Sequence, residues 1–114
     1  MDKNEVQRMV DSIANELKEI YNGNVTNDEG EPIDMWEYFT EEGADGIYDI
    51  AYTIGSDKEY RGVRLMVACG GPNIYIDTMA REVQLYWWST SAKAWIPSEV
   101  CDAIDEVWSE IYNC

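Results

Sequence analysis

Histidine is absent from this chain of 114 residues. Its absence removes the commonest general base and the commonest zinc ligand, and it excludes a Cys–His nucleophilic pair. Bases are scarce as well: 8 Lys and Arg stand against 23 Asp and Glu, for a net charge of −15. A field of that sign repels nucleic acid and anionic membrane and attracts a basic partner. Cysteine is sparse and odd in number, with Cys69, Cys101 and Cys114 widely spaced. Secreted scaffolds carry even, dense cysteines, so a reducing, cytoplasmic setting is expected. No apolar run approaches the roughly 20 residues needed to cross a bilayer. The first twenty residues mix Asp2, Lys3, Glu5 and Arg8 with apolar positions, which is not the pattern of a signal peptide. Phenylalanine occurs once, but 5 Trp and 8 Tyr with 46% hydrophobic residues point to a folded protein. Disordered acidic tails lack aromatics.

The negative charge is segregated. Between Lys18 and Lys58 there is no base and there are eleven acids. After Lys93 there are five more acids, Glu99, Asp102, Asp105, Glu106 and Glu110, and again no base. Residues 58–93 are nearly balanced. This distribution points to a function exercised through a surface rather than a cleft.

Hydrophobic spacing predicts a helix over 2–21. Val6, Met9, Val10, Ile13, Leu17, Ile20 and Tyr21 share one face, Asp2 is placed to cap with Glu5, and Asn22-Gly23 ends the run. Residues 22–33 read as a loop. Asp34 is placed to cap a short helix reaching about Thr40, with Met35, Trp36 and Phe39 on its apolar side and glycines 43 and 46 breaking it. The period then becomes two. Strands are expected around Tyr48–Ile54, Val63–Cys69, from Ile74, and over Val83–Trp87. Turns are expected at Gly55–Lys58, Gly70–Asn73 and Met79–Arg81. Ser89–Pro97 reads as a loop. Pro97-Ser98 opens a last helix with a stripe of Val100, Ile104, Val107, Trp108 and Ile111. The expectation is a single α+β domain over residues 1–114, in the order α-α-β-β-β-β-α. Its four-stranded antiparallel sheet is covered on one face by the N- and C-terminal helices.

Four features could carry function. On the last helix, Glu99, Asp102, Glu106 and Glu110 recur at three- and four-residue steps, with Asp105 beside them. They form either an array for a basic groove or an ordinary solvated face. Asn27–Asp34 is carboxylate-rich but lacks the spacing and distal Glu of an EF-hand, so no metal is expected. Gly70-Gly71-Pro72-Asn73 leads into strand residues without a Lys, which favours a hairpin turn over a phosphate cradle. Tyr86 and Trp88 alternate with Leu85 and Trp87, so two aromatics fall on the uncovered sheet face. Trp88 and Trp95 could instead close a minor core under the loop. Arg61, Arg64 and Arg81 could add a basic patch. Cys69 and Cys101 read as small core residues, Cys101 at the edge of the helix core.

The run Val67-Ala68-Cys69-Gly70-Gly71-Pro72-Asn73-Ile74-Tyr75-Ile76-Asp77-Thr78, followed by Tyr86-Trp87, resembles a motif in small uncharacterised proteins of phages and mobile elements of Gram-positive bacteria. The closing Asp102-Ala103-Ile104-Asp105 and Glu110-Ile111-Tyr112 resemble the ends of those proteins. The resemblance implies a genomic setting, not an activity. In size and acidity the chain is also similar to antidefence proteins, including anti-CRISPR inhibitors and DNA-mimic antirestriction proteins.

The reading that follows is a non-enzymatic inhibitor without cofactor. It would bind the basic groove of a nuclease through Asp28, Glu29, Glu31, Glu41, Glu42, Asp45, Asp102, Glu106 and Glu110. It would bind neither nucleic acid nor membrane directly. The alternative is a protein- or ligand-binding module working through Arg64, Arg81, Tyr86 and Trp88.

Overall fold

The computed structural model describes residues 2–42 and 46–114, without the side chain of Glu42. Asp45, one of the acids assigned to partner binding, lies outside the described residues.

Helix α1 spans Lys3–Tyr21. The Asp2 carboxylate accepts from the Glu5 amide at 2.9 Å, satisfying one of the free donors at the helix start. Gly23, at φ 77°, lets the chain turn away behind it. Val6, Val10, Ala14, Leu17 and Ile20 are the buried stripe, whereas Tyr21 at the helix end stays outside the core. Asp34 caps the short helix α2, Met35–Glu37, accepting from the Glu37 amide at 2.9 Å. The chain continues as a π turn over Tyr38–Glu42. Helix α3 covers Ser98–Tyr112 and buries Val100, Cys101, Ile104, Val107 and Trp108.

The sheet has five strands, not four. β1 Asp49–Ile54, β2 Tyr60–Ala68, β3 Asn73–Asp77, β4 Glu82–Trp87 and β5 Thr90–Trp95 form an antiparallel meander in sequence order. The fifth strand occupies the segment read as a loop. Its inward residues are Ala92 and Ala94, small enough to hide the period-two signal from a reading of large apolar side chains. Their size has a structural reason: α1 packs on β5, and short side chains let the helix approach. α3 lies over β2, so both long helices cover one face. Between the layers sit Val63, Leu65, Ile74, Ile76, Val83 and Leu85 of the sheet and the buried stripes of the two helices.

The helices leave β1 largely uncovered, and α3 meets it at Tyr112. Ile50 and Tyr52 pair with Leu65 and Val63 and so face the helix side, yet Ile50 is 42% exposed. Tyr52 is held instead in a ring cluster with Tyr60 and Tyr112. Thr78, in the β3–β4 turn, is the one buried polar residue among the described residues. Its hydroxyl accepts from the Val63 amide at 3.0 Å and donates to the Val63 carbonyl at 3.3 Å. Gly62 sits where a Cβ would strike Met79 Cγ, so this turn folds directly over β2.

Candidate functional site

With Trp108 and Ile104 turned inward, helical geometry turns the acids of α3 outward. Glu99, Asp102, Glu106 and Glu110 are all exposed. Asp105 does not join them. It is half-buried and accepts the Tyr60 hydroxyl at 2.6 Å, tying α3 to the start of β2. Burial raises its carboxyl above the ordinary aspartate range, and the hydrogen bond from Tyr60 opposes that shift. Glu99 lies in the first turn, where the helix dipole favours an acid. Glu106 and Glu110 lie toward the negative end, with no base in the last turn to compensate. Spaced i, i+4, they also repel each other. None of the four exposed acids is ion-paired with a described residue.

The remaining predicted acids are dispersed over other elements. Asp28, Glu29 and Glu31 belong to a tight turn closed by the Thr26–Pro32 bridge. There Asn27 Oδ1 accepts from the amides of Glu29 at 2.9 Å and Glu31 at 3.1 Å, and Gly30 takes φ 80°. The three carboxylates are exposed at this tip. Glu41 is exposed in the π turn after α2.

Tertiary packing adds a groove that reading the elements separately does not reveal. α2 docks on α3, and the end of α1 closes the third side. The concavity has a volume of about 290 Å³, with Met35 and Val107 in its lining beside Tyr21 and Trp36. Asp34, Glu106 and Glu110 also line it, and no base does. Trp36, expected on the apolar side of α2, is 42% exposed. The available signal was its position between Asp34 and Glu37, two residues from a cap.

The uncovered sheet face is organised differently. Arg64 lies over the Tyr75 ring at 3.6 Å, donates to Gln84 Oε1 at 3.2 and 3.3 Å, and faces Asp77 at 3.7 Å. Arg61 is paired with Asp57 at 2.8 Å. Arg81 occupies the β3–β4 turn at φ 57°. The expected Arg61–Arg64–Arg81 patch is therefore not a set of free cations: two of the three are neutralised locally. Tyr86 meets Tyr75 edge to face at 6.1 Å and is partly exposed. Trp88 is not on the sheet face. β4 ends at Trp87, and Trp88 is the first residue of the two-residue turn into β5, at φ 53° and 90% exposed. Glycine is the usual residue at such a position. Trp88 and Trp95 do not close a minor core, since Trp95 is also exposed on the outward side of the edge strand.

Cys69 is exposed in the turn after β2, contrary to its assignment to the core. Cys101 is buried rather than at the core edge, and burial pushes its thiol up to about 11, leaving it protonated at neutral pH. Among the described residues no three His, Cys, Asp or Glu side chains converge as a metal ion requires. No described helix is long and apolar enough to cross a membrane. Compared with known protein families, curated proteins and solved structures, the chain matches none of them.

Proposed function

We propose that this protein is a non-enzymatic antidefence inhibitor that docks by charge on the basic nucleic-acid groove of a nuclease of the CRISPR-effector class. The observation that carries the reading is the uncompensated acidic row of α3: Glu99, Asp102, Glu106 and Glu110, all exposed on a helix fixed to the core by Trp108. At about 1.5 Å rise per residue the row runs about 16 Å. One DNA strand places about five phosphates along that length, at ~3.4 Å each. Four carboxylates over the same distance are of similar density, and a rigid helix holds them without ordering cost on binding. Asp34, the cap of α2, extends the negative surface beside the row.

The test is cleavage of plasmid DNA by a panel of CRISPR effectors and restriction endonucleases, with and without the protein. Wild type should protect against at least one of them. Asp102→Lys/Glu106→Lys/Glu110→Lys should lose protection while circular dichroism stays unchanged. Protection should also weaken with rising salt, mainly through slower association. Arg64→Glu/Arg81→Glu should retain it. Full activity in the acid reversal and loss in the arginine reversal would overturn the reading.

A second reading, a binding module built on Arg64, Arg81, Tyr86 and Trp88, is favoured by one observation. Trp88 is held outward in a backbone conformation that costs on the order of 1–3 kcal/mol for a bulky residue. Trp88→Gly distinguishes the two. Loss of partner binding without loss of fold would assign the function to the β4–β5 tip.

A further inference from the structure

From the groove between α1, α2 and α3 we infer a specific site for a guanidinium group: it receives one arginine side chain of the basic partner. This inference rests on the acidic-docking reading above and names the contact that would anchor it.

The feature is a cavity, and its chemistry is mixed in a particular way. A concavity of about 290 Å³ lies at the lower end of small-ligand pockets, the size for one side chain rather than an extended ligand. Met35 and Val107 offer apolar surface that suits the methylene stem of an arginine. Trp36 and Tyr21 are 42% and 47% exposed, so their rings remain open to a ligand. Aromatic faces attract cations, tryptophan most strongly. Asp34, Glu106 and Glu110 border the same space and have no ion-pair partner among the described residues. One oxygen of Asp34 is already fixed by capping α2, which holds the carboxylate in place.

The local electrostatics point the same way. Glu106 and Glu110 repel each other, and Glu110, in the last turn, opposes the dipole of α3, so the fold gains no charge stabilisation from this pair. A bound cation would remove both penalties. Guanidinium is favoured over ammonium because it is planar. It can stack on an indole and present paired N–H donors to a carboxylate at once, which a lysine head cannot.

The test is a titration of the ¹⁵N-labelled protein with N-acetyl-arginine amide, N-acetyl-lysine amide and N-acetyl-citrulline amide, followed by two-dimensional NMR. Arginine amide should move the Trp36 indole N–H and the Glu106 and Glu110 amides saturably. The lysine compound should bind more weakly. Citrulline, which keeps the shape and loses the charge, should bind about tenfold or more weakly. Trp36→Ala should weaken arginine binding about fivefold without changing circular dichroism, and Trp36→Phe should recover part of it. The site assignment is overturned if citrulline binds as well as arginine, or if Trp36→Ala binds unchanged. Shifts of equal size at Glu99, Asp102 and the Asn27–Glu31 turn would overturn it too. Equal binding of lysine and arginine would overturn the guanidinium preference. In the cleavage assay the two proposals separate. Full protection by Trp36→Ala, with loss in the triple acid reversal, removes the arginine site and leaves acidic docking standing. Arginine bound in the groove, with protection lost in neither variant, removes the docking reading and leaves the site.

Discussion

Replacing Trp108 by alanine tests the orientation of α3, on which the functional reading depends. Trp108 is 4% exposed and packs edge to face on Phe39 at 5.8 Å. A buried aromatic removes about 150–250 Å² from water. At about 25 cal/mol per Å² that is roughly 4–6 kcal/mol, an upper estimate because the denatured chain already hides part of it. Measured large-to-alanine changes in cores give about 3–5 kcal/mol, and that is the expected loss. The side chain also carries a buried indole N–H without a hydrogen-bond partner among the described residues. Trp108→Phe discards that unsatisfied donor and keeps the ring contact, so it should cost only about 1–2 kcal/mol. Urea denaturation followed by circular dichroism measures both. Domains of this size have a total stability of about 5–15 kcal/mol, so the alanine variant falls in a measurable range or unfolds outright, and the phenylalanine variant remains readable in either case. A near-neutral alanine variant would refute the packing. Glu106 and Glu110 lie about 200° around the helix from Trp108, so the acidic row would then point inward and the docking surface would vanish with it. Equal losses for phenylalanine and alanine would show that the smaller ring does not keep the contact with Phe39.

Three further outcomes follow from the charge and turn geometry. The melting temperature should be higher in 0.5 M than in 10 mM NaCl, because screening over about 10 Å at 0.1 M relieves the self-repulsion of a chain carrying −15; an equal or lower value would mean the acids are already paired. Asp105 has its carboxyl raised in the fold, so the stability it contributes is fully present below the ordinary aspartate range and is lost as pH rises through the raised value. Asp105→Asn keeps an acceptor for Tyr60 and should be as stable as wild type or more so at pH 7, with the difference falling as pH is lowered toward 4; a variant markedly less stable at pH 7 would refute this. Lys58→Gly should stabilise by about 1 kcal/mol in thermal melts, because Lys58 occupies φ 65° in the β1–β2 turn where glycine is unstrained, and its carbonyl, the acceptor for Tyr112, is retained; a loss of stability would show that the Lys58 side chain packs on its surroundings.

Much of this molecule was legible in the order of its residues. The face of α1, the Asp2 and Asp34 caps, three of the hairpin turns and the inward side of α3 follow from local periodicity and turn chemistry, which act between residues a few positions apart. The outward acids on α3 followed by elimination, since a helix that buries Ile104 and Trp108 must expose Asp102 and Glu106. β5 was not legible because its core contacts are two alanines, whose role depends on a helix some eighty residues earlier in the chain. Whether an outward side chain is truly exposed, or shares a concavity with another element, was not legible either. Trp88 reads as a sheet residue in the sequence although the strand ends at Trp87, and the spacing that sets Asp105 beside the acidic row does not show that Tyr60 meets it. Asp34, Trp36, Glu106 and Glu110 converge only because α2 docks on α3. Contacts of that kind are set by packing between distant segments, and no local spacing encodes them.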